Sequence, residues 1–397
     1  MNTIANSRNN GFLLIFVLAV TSTLAPLSVD FFAPSMPGAT LDLATSATAI
    51  QSTLYIFFIG YAMSPFLWGG LADKFGRRKV MLAGVLFYCL ASSGCFIAPG
   101  IFELSVCRFL QGVGAASGVV IARAILRDIH GPTGATKAIS GMFLIMVWIP
   151  ILAPVLGGYI ATDFGWRSSF FVMALIAGLS FLGCYFWLAE TLPDKTPILS
   201  ARKNNWSEVL VNPVFIGNAL ANMFCIGTML LFISNYSYLS EQHFQLSAAH
   251  NGYVLATFNT GISVGVYLVR FFAPRLGVAK TISLGLWIAL AGWASLWGLC
   301  FGAVPAPTIM IAPILFACLG TGMVISLTVG EALVPFAYVA GAASALFVFV
   351  QSAGSSLISF IVSLVSDNSL GVITTALVLC SLLAMASMKL IQPKAKS

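Results

Sequence analysis

The sequence predicts an all-α membrane protein: twelve transmembrane helices in two pseudo-symmetric six-helix bundles. Three observations carry that expectation. First, 59% of the 397 residues are hydrophobic and only 8% are charged, well beyond the roughly 45–50% apolar share of soluble domains. Mean hydropathy is +0.97, which excludes a water-soluble globular chain. Second, the apolar residues fall into about a dozen runs, each near the ~20 residues that cross ~30 Å of hydrocarbon as a helix. Third, the two halves share a partial repeat.

In chain order, Arg8 precedes an apolar run from Phe12 that outlasts a signal-peptide core and reaches Asp30, so it reads as an uncleaved first helix. Hydropathy, charge and Pro/Gly punctuation place the first six spans at 12–35, 47–71, 79–98, 102–127, 137–161 and 167–189. A polar segment follows, Glu190 to Asn212. The remaining spans are at 213–238, 248–272, 280–301, 307–330, 338–363 and 369–391. The domains are therefore an N-terminal bundle (1–189), a cytoplasmic linker (190–212) and a C-terminal bundle (213–397). With both termini in the cytoplasm, sixteen of the nineteen Lys and Arg residues lie inside, as the positive-inside rule requires. Of the others, Arg108 is within a span, Arg123 is near an inner end and Arg167 lies outside.

The net charge of +7 is scattered through short loops with no basic stripe, which suits an anionic leaflet and not nucleic acid. The eight cysteines lie in or at the ends of apolar runs without a C-x-x-C pair, so no disulfide framework or metal site is expected. His130, His243 and His250 are expected in loops, away from any metal site or proton relay.

The densest charge cluster, Gly69 to Lys79, separates the second and third spans. Leu71-Ala-Asp-Lys-Phe-Gly-Arg-Arg-Lys79 aligns without gaps on Phe272-Ala-Pro-Arg-Leu-Gly-Val-Ala-Lys280, pairing Gly76 with Gly277 at an offset of 201. A second echo pairs Gly112-Val-Gly114 with Gly320-Thr-Gly322. Duplication of this kind is expected of secondary transporters.

Gly70, Leu71, Asp73, Gly76, Arg77 and Arg78 resemble the loop signature of the major facilitator superfamily. Arg108-Phe-Leu-Gln111-Gly112 is similar to the fourth-helix motif of its proton-coupled members. Pro150, Pro154, Gly157 and Gly158 resemble the antiporter motif of drug:proton antiporters, with Ala153 where that motif often has Gly. With Asp30-Phe-Phe-Ala-Pro34, Arg123 to Asp128 and Ala340 to Leu346, the chain resembles the bicyclomycin/chloramphenicol-resistance (Bcr/CflA) branch. The resemblance implies a transporter in the bacterial cytoplasmic membrane, driven by the proton gradient without a cofactor. It would exchange protons for small amphipathic or lipophilic compounds, as a monomer. It also implies that Gly70, Asp73, Gly76, Arg77, Arg78 and Arg127 belong to a latch whose counterpart is at the start of the eleventh span.

Ionised side chains inside a membrane are costly and are functional candidates by default. Asp30 and Arg108 stand out, both in the outer third of the bilayer. The resemblance makes them neighbours along one cavity. Low polarity favours a neutral carboxyl and a nearby Arg favours its charged form, so cavity opening and closing would let Asp30 exchange a proton in competition with substrate. The plainer readings are a helix-end charge reaching the headgroups for Asp30 and snorkelling for Arg108. Gln111, Asn218, Asn222, Asn259 and Gln351 are candidate substrate contacts, with interhelical hydrogen bonding equally open to them. Tyr55 is a candidate for stacking on substrate. A specific metabolite or siderophore transporter on the same fold is the alternative. An enzyme is disfavoured, because the spans contain no His and assemble no Ser/His or Cys/His constellation.

Overall fold

The computed structural model describes residues 11–192, 206–300, 306–366 and 369–391. Linker residues 193–205, with Lys195, Arg202 and Lys203, lie outside the described residues, as do Arg8, Lys394 and Lys396. Among the described residues the regular elements are all helical, and the chain forms two compact units, Met1–Lys203 and Asn204–Ser397.

In the first unit the expected 12–35 helix is broken and runs further. It consists of α1 (Phe12–Ser22), α2 (Leu24–Asp30), a 3-10 turn (Ala33–Ser35) and α3 (Met36–Asp42), with a 44° bend between α1 and the rest. Proline explains both breaks: Pro26 has no N–H for the Ser22 carbonyl and Pro34 none for that of Asp30. The α4 helix (Ala47–Phe75) starts at Ser46, whose Oγ accepts from the Ala49 N–H. The α5 helix is Arg77–Ile97. The expected charged loop thus shrinks to Gly76, at φ 100° and ψ 148°, a region essentially reserved for glycine.

The α6 helix (Ile101–Met146) breaks at Gly131, where φ is 65°, so the fourth span is Ile101–Gly131. Pro150 lacks the N–H that would bond the Met146 carbonyl, and α7 (Ile149–Phe164) begins after this second interruption. The fifth span is Lys137–Phe164 and the sixth is α8 (Arg167–Trp187).

The second unit opens with a short helix inside the polar segment, α9 (Trp206–Val211). Next is α10 (Pro213–Phe244), capped by Asn212 Oδ1 accepting from the Val214 and Phe215 N–H groups. Then come α11 (Ala248–Leu276), α12 (Val278–Leu299), α13 (Pro307–Leu333), α14 (Ala340–Ser366) and α15 (Leu370–Met388). Among the described residues, eleven helical stretches are long and apolar enough to cross a membrane, and the bent first pair, taken as one span, makes twelve. The three histidines sit on helices and not in loops: His130 on α6, His243 in the last turn of α10 and His250 in the first turn of α11.

Close helix contacts recur in both units. Gly76 and Gly277 are both one-residue turns of positive φ between long helices. A methyl group on Gly60 would strike the Phe109 backbone and one on Gly114 that of Tyr88; in the second unit one on Gly261 would meet Cys318 and the Leu315 backbone, and one on Gly320 the backbones of Gly285 and Ala289. Gly60 to Gly261 and Tyr88 to Ala289 are steps of 201, whereas Phe109 to Leu315 and Gly114 to Gly320 are steps of 206. Other pairs give other steps: Gly84 packs on Ser117 and Gly285 on Gly320, steps of 201 and 203.

Candidate functional site

Arg108 lies seven residues after Ile101 on α6 and is 0% exposed. Its Nη1 donates to the Ser28 carbonyl at 3.1 Å and to Gln111 Oε1 at 2.6 Å. One turn on, Gln111 Nε2 donates to Ser92 Oγ at 2.8 Å and points to Met173 Sδ at 3.6 Å. Ser28 Oγ donates to the Leu24 carbonyl at 2.6 Å and lies 2.6 Å from the Tyr88 hydroxyl. One polar network thus joins α2, α5, α6 and α8.

Three rings surround the guanidinium: its carbon is 4.7 Å from the centroid of Phe57, 5.3 Å from Phe32 and 5.6 Å from Phe170. A desolvated cation over a ring gains up to about 2 kcal/mol. Arg108 Nε and Nη2 are buried and have no hydrogen-bond partner among the described residues. Buried donors left unmade are expensive, more so when charged. The cluster therefore holds a fixed positive charge with two donors open, suited to a carboxylate or to an acceptor oxygen of a substrate.

Asp30 is buried, at 5% exposed, and is the last residue of α2. The Ser28 carbonyl held by Arg108 is two residues before it, so the network reaches the helix turn that Asp30 ends. From the other side α7 packs closely: a methyl group on Gly157 would meet the backbone of Phe31. Pro154, Gly157 and Gly158 are buried on α7, and Pro150 is in its first turn. Tyr55 is buried on α4, two residues before Phe57.

The remaining amides are in the second unit. Asn222 Nδ2 donates to the Ile325 carbonyl at 3.2 Å and to Thr328 Oγ1 at 2.8 Å, which joins α10 to α13. Asn218 Nδ2 donates back to the Val214 carbonyl at 2.9 Å. The Oδ1 atoms of both are buried without a hydrogen-bond partner among the described residues. Asn259 is buried on α11 and Gln351 half-buried on α14.

At the α4–α5 turn, Arg77 pairs with Asp73 at 2.5 Å and with Asp128 at 3.0 Å. Glu190 receives the Arg77 N–H at 2.7 Å and the Arg78 N–H at 3.3 Å. A carboxylate from the end of the sixth span thereby caps the positive end of α5. Arg78 Nη2 donates to the Tyr185 carbonyl at 2.8 Å. Arg127 and Gly70 are exposed, and beside Asp73 the acidic partners within this cluster are Asp128 and Glu190. Asp128 closes the Arg123 to Asp128 run at the inner end of the fourth span, whereas Glu190, first residue of the polar segment, carries no local sequence signal of its role. At the opposite end, Arg167 pairs with Asp42 and donates to the Ala98 carbonyl at 3.1 Å, a tie between three spans that the sequence did not disclose. Among the described residues, no group of three or more His, Cys, Asp or Glu side chains is placed to hold a metal ion.

Twelve spans built by duplication, with a buried cation on one of them, define a polytopic membrane transporter. The chain belongs to the Major Facilitator Superfamily, whose family model matches residues 18–359. It is 27% identical over 370 residues to multidrug resistance protein MdtL of Escherichia coli O81 (strain ED1a), covering 93% of each chain. To a bicyclomycin resistance protein homolog of Haemophilus influenzae it is 26% identical over 321 residues, 77% of this chain and 81% of the relative. To the MFS-type transporter YdgK of Bacillus subtilis (strain 168) it is 28% identical over 341 residues, 84% of each. Among solved structures, a bacterial homolog of the human lysosomal transporter Spinster matches with a TM-score of 0.76 at 16% identity over 95% of each chain. A D-xylose-proton symporter matches at 0.74 and 15% identity, over 97% of this chain and 99% of the other. These likenesses are of fold.

Proposed function

We propose that this transporter exports small amphipathic or lipophilic compounds in exchange for protons, by alternating access. The observation that carries the reading is Arg108: a fully buried guanidinium with two open donors, tied through Ser28 to the turn that ends at Asp30. Relatives named for multidrug and bicyclomycin resistance support the choice of substrate class.

In this reading Asp30 takes a proton from outside and releases it inside, and substrate binding alternates with its protonation. Arg108 supplies the fixed charge that favours the ionised carboxylate, and Gln111 sets the position of Arg108. Tyr55 and the amides Asn218, Asn222, Asn259 and Gln351 offer stacking and hydrogen bonds to substrate. Gly70, Asp73, Gly76, Arg77, Arg78 and Arg127 act as the conformational latch, and Pro150, Pro154, Gly157 and Gly158 let the fifth span bend and pack closely. The protein works as a monomer in the bacterial cytoplasmic membrane with both termini inside, using the proton gradient and no cofactor.

The test is drug susceptibility of cells overexpressing the chain, repeated with Asp30→Asn and Arg108→Ala. Raised tolerance to several unrelated compounds, lost in both variants, is expected. Tolerance to none, with proton-dependent flux of a single metabolite or siderophore, would replace drug export with the narrower reading.

A further inference from the structure

Beside the turn between α4 and α5 lies an open pocket of about 370 Å³ that shares Gly76 and Arg78 with the latch and is otherwise lined by groups to which the transport cycle gives no role. Lys74, Phe75, Arg78, Lys79, Glu190 and Leu192 line it, so three cations face one carboxylate. That carboxylate is already engaged. Glu190 accepts from the backbone N–H groups of Arg77, Arg78, Thr191 and Leu192. The start of α5 is therefore capped and is not the binding feature.

What the cavity still offers is positive. Lys74 and Lys79 are exposed, the Lys74 ammonium standing 5.2 Å from the Phe75 ring centroid. Arg78 Nε is buried and has no hydrogen-bond partner among the described residues. Exposed aromatic side chains flank these groups: Phe75 in the lining is 53% exposed, and on α8 Phe186 and Trp187, next along the chain from Tyr185, are 53% and 41% exposed. Arg78 links the α8 aromatics to the cavity, because its guanidinium carbon lies 5.4 Å from the Tyr185 ring centroid on the same helix turn of α8.

Tyr and Trp at the ends of spans mark the headgroup level of a bilayer, and basic pockets between spans at that level suit anionic headgroups. A soluble phosphate ester would use the cations and leave the aromatic side chains bare. An anionic phospholipid uses both, its phosphate on the lysines and its acyl chains along Phe75 and the α8 aromatics. We propose that this cavity is a binding site for an anionic phospholipid of the phosphatidylglycerol class, held by Lys74, Arg78 and Lys79. The duplicated half supplies a charge-matched control, since Arg275 and Lys280 stand 201 positions after Lys74 and Lys79.

The experiment is native mass spectrometry of the purified full chain titrated with phosphatidylglycerol or phosphatidylcholine. The wild type is expected to retain phosphatidylglycerol in preference. Lys79→Gln should weaken that binding about fivefold and the Lys74→Gln/Lys79→Gln pair roughly 25-fold, with Arg275→Gln/Lys280→Gln unchanged. Both lysines are exposed, so the variants are expected to keep the wild-type melting temperature, and the single variant serves if the pair does not fold. Three results would overturn the proposal: no preference for the anionic lipid, equal loss in both pairs of variants, or displacement of the lipid by millimolar glycerol phosphate, which would mark a soluble phosphate site.

Discussion

Arg108 keeps its charge inside the first unit with one carbonyl, one amide oxygen and three phenyl rings as neighbours. A lysine there carries the charge but not the planar fork that reaches Ser28 and Gln111 while lying against rings. Arg108→Ala and Arg108→Lys are therefore both expected to lower proton-driven efflux at least about tenfold, a change of ~1.4 kcal/mol, at unchanged protein level in the membrane; flux assays in everted vesicles with immunoblotting check this. Gln111→Leu leaves Ser92 Oγ without its donor and removes one acceptor from Arg108. It is expected to cost about 1–3 kcal/mol of stability, read as a lower melting temperature in detergent. At this scale the sequence disclosed the charges, because few lie in apolar runs. It did not disclose the ring cage, because Phe32, Phe57 and Phe170 are three among thirty-one phenylalanines and only the packing of four spans selects them. Glu190 was hidden for a related reason: its partner N–H groups lie 113 and 112 residues earlier.

Helix existence followed from hydropathy, but where the helices break did not. Pro26, Pro34 and Pro150 interrupt the first and fifth spans. Proline is tolerated in membrane helices where neighbours satisfy the freed groups, so its presence alone does not mark a break. The charged loop likewise became a single residue. Two glycines of that signature now separate: a Cβ at Gly76 would be strained at φ 100° and would strike the Glu190 carboxylate, whereas a Cβ at Gly70 meets nothing within 4 Å. Gly76→Ala is expected to destabilise the protein by about 1–3 kcal/mol and Gly70→Ala by no more than about 0.5 kcal/mol. Thermal unfolding of the two variants side by side measures the difference. Equal effects would place the importance of the signature elsewhere than in this turn.

For the whole molecule, duplication was legible in the Gly76/Gly277 echo, and the close approach of spans at Gly60, Gly114, Gly265 and Gly320 was not, since it depends on which backbones lie against those glycines. Orientation rests on the distribution of Lys and Arg; a C-terminal green fluorescent protein fusion is expected to fluoresce and a C-terminal alkaline phosphatase fusion to be inactive, the reverse pattern placing the terminus outside. Coupling of substrate to protons is the central claim. Its most direct measurement is substrate-induced collapse of a pH gradient in everted vesicles, monitored with a pH-sensitive dye, for the wild type and Asp30→Asn at matched protein levels. The wild type is expected to respond to substrate and Asp30→Asn to give no response. A full response from Asp30→Asn would contradict the assignment of proton coupling to Asp30.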